Sequence, residues 1–381
     1  MNSKERMYAA INHEEADRVP IGEWQYGKEV MTPVLGHDPL FNNGLKTQEL
    51  NWEGRGKEVR ADWKEGLVKI TKAYNWDSVL VHLLGDENTK IDVPEKIDEK
   101  IWKYENGAVI QYSKETNRLL TIEGGTPPTD IDQEEVNRIE PTDSQLEIVR
   151  HVVKELGDTH FIFCAPLAGP GRRMRAPSGK RVNEVEAWCE LFTEPEKWVE
   201  RKKRWVTSEH MAKGIEIAKR EGLDAIAYSC DYGGTTGPFI SPEIFKNHIQ
   251  PILAAYVELV HAQGLKFLHH ACGNNQVLMD LIVEAGVDVY QSIQTEMDIV
   301  KMKKRYGKEI TLWGGVPAGD LILSTPDKVK ETGKYFLNEC KAGGGYIYGT
   351  SHSIMPGAKY ENYQAMLEAH AEQGSYAKET A

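Results

Sequence analysis

The sequence predicts an α/β chain folded as a closed (β/α)8 barrel with helical and β-hairpin insertions. Two observations carry that prediction. The second half of the chain alternates short apolar runs with longer helical patterns, five times in succession, as a parallel sheet with crossover helices does. Three more strand candidates precede that series and bring the count to eight, which suits a closed barrel better than an open sheet. There is no internal repeat, and residues 1–381 read as one domain.

The early strands are RVPIGEW, NWDSVLVHL and THFIFCAPL. LDAIAYS (223–229) is an apolar run with no helical period and reads as the fourth strand. SPEIFKNHIQPILAAYVELVHAQG follows as a helix, capped by Ser241, with Pro242 in its first turn and Gly264 at its end. Pro251 inside that pattern predicts a kink or a break. KFLHH is the fifth strand, and NQVLMDLIVEAG a helix closed by Gly286. VDVYQ and EITLWGG are the sixth and seventh strands, separated by the helix MDIVKMKKRYG. TPDKVKETGKYFLNECKAGGG is a helix with Thr325 as cap and Pro326 at its first position. YIYGTS is the eighth strand, and YENYQAMLEAHAEQ the final helix. GAVIQYSKETNRLLTIEGGTPP (107–128) has period-two runs and turn signals, and marks a β-hairpin insertion near residues 100–128. Residues 30–70 and 170–200 read as further insertions, the latter holding the basic run RRMRAPSGKR (172–181).

Composition narrows the function. The formal net charge is −12 with both signs well mixed, a poor match for nucleic acid or an anionic membrane surface. No run approaches the ~18 apolar residues a membrane span needs. The N-terminus lacks the apolar core of a signal peptide, so a cytoplasmic location is expected. Five scattered cysteines argue against a disulfide framework.

Barrel active sites lie on the loops after the strands. Those positions hold Glu23-Trp24-Gln25-Tyr26, His82, Cys230-Asp231-Tyr232, His270 and Cys272 with Gly273, Gln291 and Gln294, Gly314-Gly315, and Ser351-His352-Ser353. His270 and Cys272 are the most chemically specific pair. As a strand gives way to a loop, residues i and i+2 can point the same way, so one imidazole and one thiolate could grip one zinc ion. Two ligands are too few, and satisfied strand-end histidines with a small buried cysteine would look the same. His352 is the best third ligand in the pattern, with Asp231 or Glu23 as substitutes. Trp24, Tyr26, Tyr228, Tyr232, Phe239 and Trp313 are expected around the mouth, although core packing explains most aromatics.

An ordered series of blocks carries a resemblance. RMYAAINHEEADRVPIGEW, GPFISPEIFKNHIQP, FLHHACGN, YGKEITLWGGV, STPDKVKE and GGGYIYGTSHSIMPGAKYENYQAM together resemble the uroporphyrinogen decarboxylase superfamily, and within it the cobalamin-dependent methyltransferases. That resemblance also implies a (β/α)8 barrel. The decarboxylases carry an arginine-rich segment near the N-terminus that binds propionate groups. Here the corresponding stretch is PIGEWQYGKEV, and no arginine lies between Arg18 and Arg55. A tetracarboxylate would lack charge partners, which disfavours decarboxylation. Methyltransferases resembling the coenzyme M enzymes hold zinc with H-x-C on the fifth strand and a cysteine after the eighth. This chain keeps His270 and Cys272 but has Ser351-His352-Ser353 where that cysteine is expected.

The resemblance therefore implies an enzyme that moves a methyl group between a small methylated substrate and the cobalt of a corrinoid on a separate protein, with zinc held by His270, Cys272 and His352. A methoxylated aromatic substrate (O-demethylation) is the leading expectation. Methylcobalamin:thiol transfer is the runner-up. A uroporphyrinogen decarboxylase and a non-catalytic tetrapyrrole-binding barrel are the remaining alternatives. Expected roles are catalytic for Asp231, Glu23 and Gln294, cofactor-binding for Gly273, Gly315 and Ser351, and substrate-binding for Trp24, Tyr26, Tyr232 and Trp313. A homodimer is a further expectation.

Overall fold

In the computed structural model, residues 1–41, 43–88, 91–115, 117–124, 139–168 and 184–376 are described. The strands are β1 Ser78–Leu80, β2 Glu95–Asp98, β3 Ile101–Lys103, β4 Val109–Ser113, β5 Arg118–Glu123, β6 Phe161–Cys164, β7 Ala225–Ser229, β8 Gly233–Gly234, β9 Gly237–Pro238, β10 Lys266–His270, β11 Val289–Ile293, β12 Thr311–Val316 and β13 Tyr346–Thr350. Seven of them form one parallel sheet in the order β1-β6-β7-β10-β11-β12-β13. These are the second to eighth strands expected from the sequence.

The expected first strand is reduced to a bridge. Ile21 pairs in parallel with Tyr348, Gly22 N–H donates to Tyr348 O at 3.2 Å, and Asp77 N–H donates to Ile21 O at 2.7 Å. The segment thus lies between β13 and β1 and closes the sheet on itself. Pro20 has no N–H to extend a ladder. A side chain compensates: the fully buried Asp77 accepts from Ile21 N–H at 2.8 Å, and from Arg18 and Arg6.

Alternation along the strands splits the apolar residues into two layers. Trp24, Phe161, Phe163, Ala225, Ala227, Leu268, Val289, Trp313 and Ile347 fill the lumen, with Met7, Ala10 and Ile11 of the N-terminal helix Ser3–Ile11 packed against them. The opposite faces pack under the surrounding helices in one large cluster.

The helices follow the sequence closely. Ser241 Oγ caps the backbone N–H of Ile244 at 3.2 Å. The interruption expected at Pro251 is a π-helical turn over Phe245–Ile249, from which Gln250–His261 continues as α-helix. The wider turn accommodates a residue that cannot donate and whose ring crowds the preceding turn. Thr325 stands at its cap position but its side chain makes no capping hydrogen bond, a correction. The hairpin insertion is larger than expected, a four-stranded antiparallel sheet β2-β3-β4-β5. The region near residues 30–70 holds three helices, Lys28–Leu35, Gly44–Trp52 and Gly56–Ala73. The run 172–181 lies outside the described residues. No helix among the described residues is long and apolar enough to cross a membrane.

Candidate metal centre

β10 turns Leu268 and His270 toward the lumen, and Phe267 and His269 away from it. His270 stacks on Trp24 with ring centroids 5.0 Å apart. His269 stacks on Tyr228 on the other side of the sheet, at 5.4 Å. Cys272 follows β10 at the mouth, and His352 follows β13 across it. The two loops lean together: His270 Nε2 lies 3.2 Å and His352 Nε2 3.1 Å from Cys272 Sγ. One ligand atom from each of the three residues lies within 4.8 Å of the others.

The hydrogen-bond partners of the two rings make this convergence informative. His270 Nδ1 faces Gln291 Oε1, an acceptor, so the proton sits on Nδ1 and the Nε2 lone pair faces the cluster. His352 Nδ1 lies 3.4 Å from Ser353 O, which asks for the same tautomer. Two nitrogen lone pairs and one sulfur then share at most one proton. A tetrahedral zinc, with bonds of about 2.3 Å to sulfur and about 2.0–2.1 Å to nitrogen, sets S···N near 3.6 Å and N···N near 3.3 Å. The donor set suits that ion, with S···N distances of 3.2 and 3.1 Å that would open slightly around it, and three protein ligands would leave a fourth position for a substrate atom. Burial lowers the His270 pKa, keeping the ring neutral and ligand-competent. Burial, abetted by the Asp231 carboxylate, pushes the Cys272 thiol up to about 12. A cation is what would release that proton.

Other residues expected at the site are placed with differing results. Asp231 is exposed beside the cluster and its Oδ1 accepts the Cys272 N–H at 2.8 Å. Gln294 Oε1 accepts the Gly273 N–H at 2.7 Å, so it holds the loop. Gly273 has φ 92°, and a Cβ there would meet Gly233 O at 2.3 Å, so close backbone packing accounts for it.

Several expectations need correction. Gly22 and Trp24 face the lumen, which turns Glu23 outward. Glu23 is 2 % exposed, its carboxylate bonded to the N–H and hydroxyl of Thr350. Burial pushes its pKa to about 8, although the Thr350 bonds oppose the shift. Thr350 Oγ1 also lies against His352 O, another acceptor, and has only one proton to give. A protonated Glu23 resolves that conflict by donating to Thr350, which donates onward to His352. Glu23 therefore buttresses the His352 loop from behind and does not border the reacting space. Tyr26 packs on Trp76 at 4.6 Å, and Tyr232 edge-on to Phe245 at 5.1 Å. Both are buried under the helices, as core residues. Trp313 is fully buried in the lumen and donates to Gly22 O at 3.1 Å. Of the four expected substrate aromatics, Trp24 alone touches the cluster. Gly315 backs toward Tyr346 in the helix layer. Ser351 Oγ accepts the Ala318 N–H at 3.1 Å, a latch between the last two loops.

Sequence reasoning gave Gln291 only a place near the mouth and missed Ser292. Gln291 follows from alternation on β11, two residues after the lumen-facing Val289. No sequence signal marks Ser292, because its position depends on a bulge.

Fold and cluster together define a (β/α)8 barrel with a three-ligand, metal-capable His-Cys-His site at the mouth. The profile of the uroporphyrinogen decarboxylase (URO-D) family matches residues 124–373, so the chain belongs to that family. A uroporphyrinogen decarboxylase of Coxiella burnetii is 22 % identical over 150 residues, 39 % of this chain and 41 % of that one. The Methylobacillus flagellatus enzyme of the same name is 21 % identical over 172 residues, 45 % of this chain and 48 % of the other. The matched stretch spans less than half the length of these curated relatives. Among solved structures, a methyltransferase from Methanosarcina mazei superposes with a TM-score of 0.63 at 17 % identity, covering 98 % of this chain and 99 % of its own. That likeness establishes the shared fold.

Proposed function

We propose that this protein is a zinc-dependent methyltransferase. It would move a methyl group between a small methylated substrate, foremost a methoxylated aromatic, and the cobalt of a corrinoid carried by a separate protein. The observation that carries the reading is the convergence of His270 Nε2, Cys272 Sγ and His352 Nε2 at the barrel mouth. A buried decarboxylase site for a porphyrinogen bearing many carboxylates calls for several cations, and the segment Pro20–Val30 offers Lys28 but no arginine.

Zinc bound there would act as a Lewis acid on the ether oxygen and stabilise the charge that develops as the methyl group leaves. The chain's own residues prepare that site. Gln291 fixes the His270 tautomer, and Asp231 pins the Cys272 backbone. Trp24 backs the His270 ring with its stacked face. The open fourth ligand position would also accept a thiolate, so methylcobalamin:thiol transfer is the second reading.

The test is spectroscopic. Zinc-loaded protein, reduced cobalamin and a methoxylated aromatic should convert the Co(I) spectrum to that of methylcobalamin. Demethylation of methylcobalamin by a thiol, with ethers inert, would replace the first reading with the second. Failure with both, alongside loss of carboxylates from uroporphyrinogen, would overturn the proposal.

A further inference from the structure

β11 departs from regular pairing with β12 between Gln291 and Ile293. Ser292 sits at that bulge with φ 81°, a left-handed conformation that residues other than glycine, asparagine and aspartate adopt rarely. Four other non-glycine residues among those described have positive φ: His13, Asn75, Lys100 and Asn117. None of those four is buried, whereas Ser292 is 0 % exposed. Its conformation is therefore imposed from within the packed barrel and is not the relaxed choice of a surface turn.

The consequence is a change of direction. Strand alternation sends Gln291 into the lumen, onto His270 Nδ1, and would send the next residue outward. The bulge returns Ser292 to the site, with its Oγ 3.6 Å from Cys272 Sγ, within reach for O–H···S. That is the hydroxyl's one hydrogen bond among the described residues. Bulges beside active sites commonly re-aim a side chain in this way. Backbone strain of this kind persists where surrounding structure enforces it, and it concentrates at functional sites.

The geometry points to Ser292 as a positioning residue for the metal centre, its strained backbone aiming a hydroxyl at the Cys272 sulfur. The donated hydrogen bond occupies one sulfur lone pair and orients the others toward the ion. It also withdraws electron density from a ligand thiolate that would otherwise compete with the substrate for the methyl group. Consecutive residues of one strand, Gln291 and Ser292, then serve the two ligands of the His270-x-Cys272 pair, one each. This inference rests on the zinc reading of the site.

Zinc affinity and stability, measured on the full chain, separate its claims. Zinc-free wild type, Ser292→Ala and Ser292→Gly would be titrated with zinc against a competing chelator. Both variants should bind about tenfold more weakly, the lower end of the usual loss when a ligand's hydrogen-bond partner is removed. Their stabilities should differ despite that shared deficit. Zinc-free Ser292→Gly should melt above Ser292→Ala, because glycine takes φ 81° without a Cβ penalty. With cobalt(II) in place of zinc, the thiolate-to-metal charge-transfer band should move to lower energy in both variants. Wild-type affinity in both, or an unmoved band, would overturn the role assigned to the hydroxyl. Ser292→Gly melting below Ser292→Ala would overturn the strain argument. Absence of zinc binding by wild type would instead bring down the zinc reading, and this inference with it.

Discussion

Replacing Glu23 with glutamine should remove a pH dependence from the stability of the fold. Burial raises this carboxyl from 4.5 to about 8. In the folded chain it keeps its proton through neutral pH, whereas in the unfolded chain it loses it above the usual carboxylate range. An acid with a raised folded pKa contributes its full stability below the unfolded value and loses it as pH rises toward the folded one. Each pKa unit corresponds to about 1.4 kcal/mol, so the wild type should lose about 2 kcal/mol between about pH 6 and 7.5 through this group alone. Glutamine has the same shape, can donate to Thr350 Oγ1 and can accept from Thr350 N–H, and has no proton to lose. The measurement is urea unfolding of both zinc-free proteins at the two pH values, followed by tryptophan fluorescence. Groups common to both proteins cancel in the difference. His269 and His370, each lowered by burial to about 4, are among them. The expected result is a stability difference that shifts by about 2 kcal/mol toward the glutamine variant as pH rises. Parallel pH profiles would show that Glu23 is ionised in the fold, and would refute the assignment of the proton.

Three further outcomes can be checked directly. Cys272→Ala should abolish the approximately stoichiometric zinc content expected of the wild type, and His352→Ala should weaken it; unchanged affinity in the latter would pass the third ligand to Asp231. Zinc uptake near neutral pH should release about one proton, measured by calorimetry in buffers of different ionisation enthalpy, because the Cys272 thiol is pushed up to about 12 and His270 is already neutral. A release near zero would mean that sulfur is not a ligand. Asp77→Ala should cost about 3–5 kcal/mol by stranding Arg6 and Arg18 beside the closing segment, as read from denaturant unfolding; a loss under about 1 kcal/mol would show that the network does not hold the first strand.

The barrel was legible because its signals are periodic and local. Strands two to eight lie where apolar runs, cap residues and terminal glycines put them, and the interruption at Pro251 came from proline chemistry. His270 and Cys272 were legible for the same reason, since i and i+2 at a strand end share a direction. The first strand was harder to read. Pro20 breaks its ladder, and its place is held by Asp77, nearly sixty residues away in sequence. The phase of Glu23 and Trp24 was not readable either. A parallel strand is buried on both faces, so apolar character does not say which side is lumen. Glu23 was therefore expected at the mouth, and Tyr26, Tyr232 and Trp313 around a substrate. Packing decided each case: Trp76, Phe245 and the Gly22 carbonyl claim those side chains. β2 and β3 were missed because β2 is exposed throughout and carries no buried pattern to detect.

The candidate ligands are held in place largely by the barrel elements beside those that bear them. β10 ends in His270, and the loops after β10 and β13 carry Cys272 and His352, while β11, next to β10 in the sheet, supplies Gln291 to one ring and Ser292 to the sulfur. β7, on the other side of β10, leads to Asp231 and the Cys272 N–H. Behind His352 stands the relay from Glu23 through Thr350, which begins on the segment that closes the barrel. His270 and Cys272 therefore each have a partner on a neighbouring barrel element, while His352 Nδ1 lies 3.4 Å from Ser353 O of its own loop. Such an arrangement fixes the direction of the His270 and Cys272 donors in advance, so an ion that bound there would spend little binding free energy on ordering them. The loop after β13 is held through its backbone, at Thr350 and at the latch from Ser351 to Ala318, so the aim of the His352 ring is set by that loop's backbone.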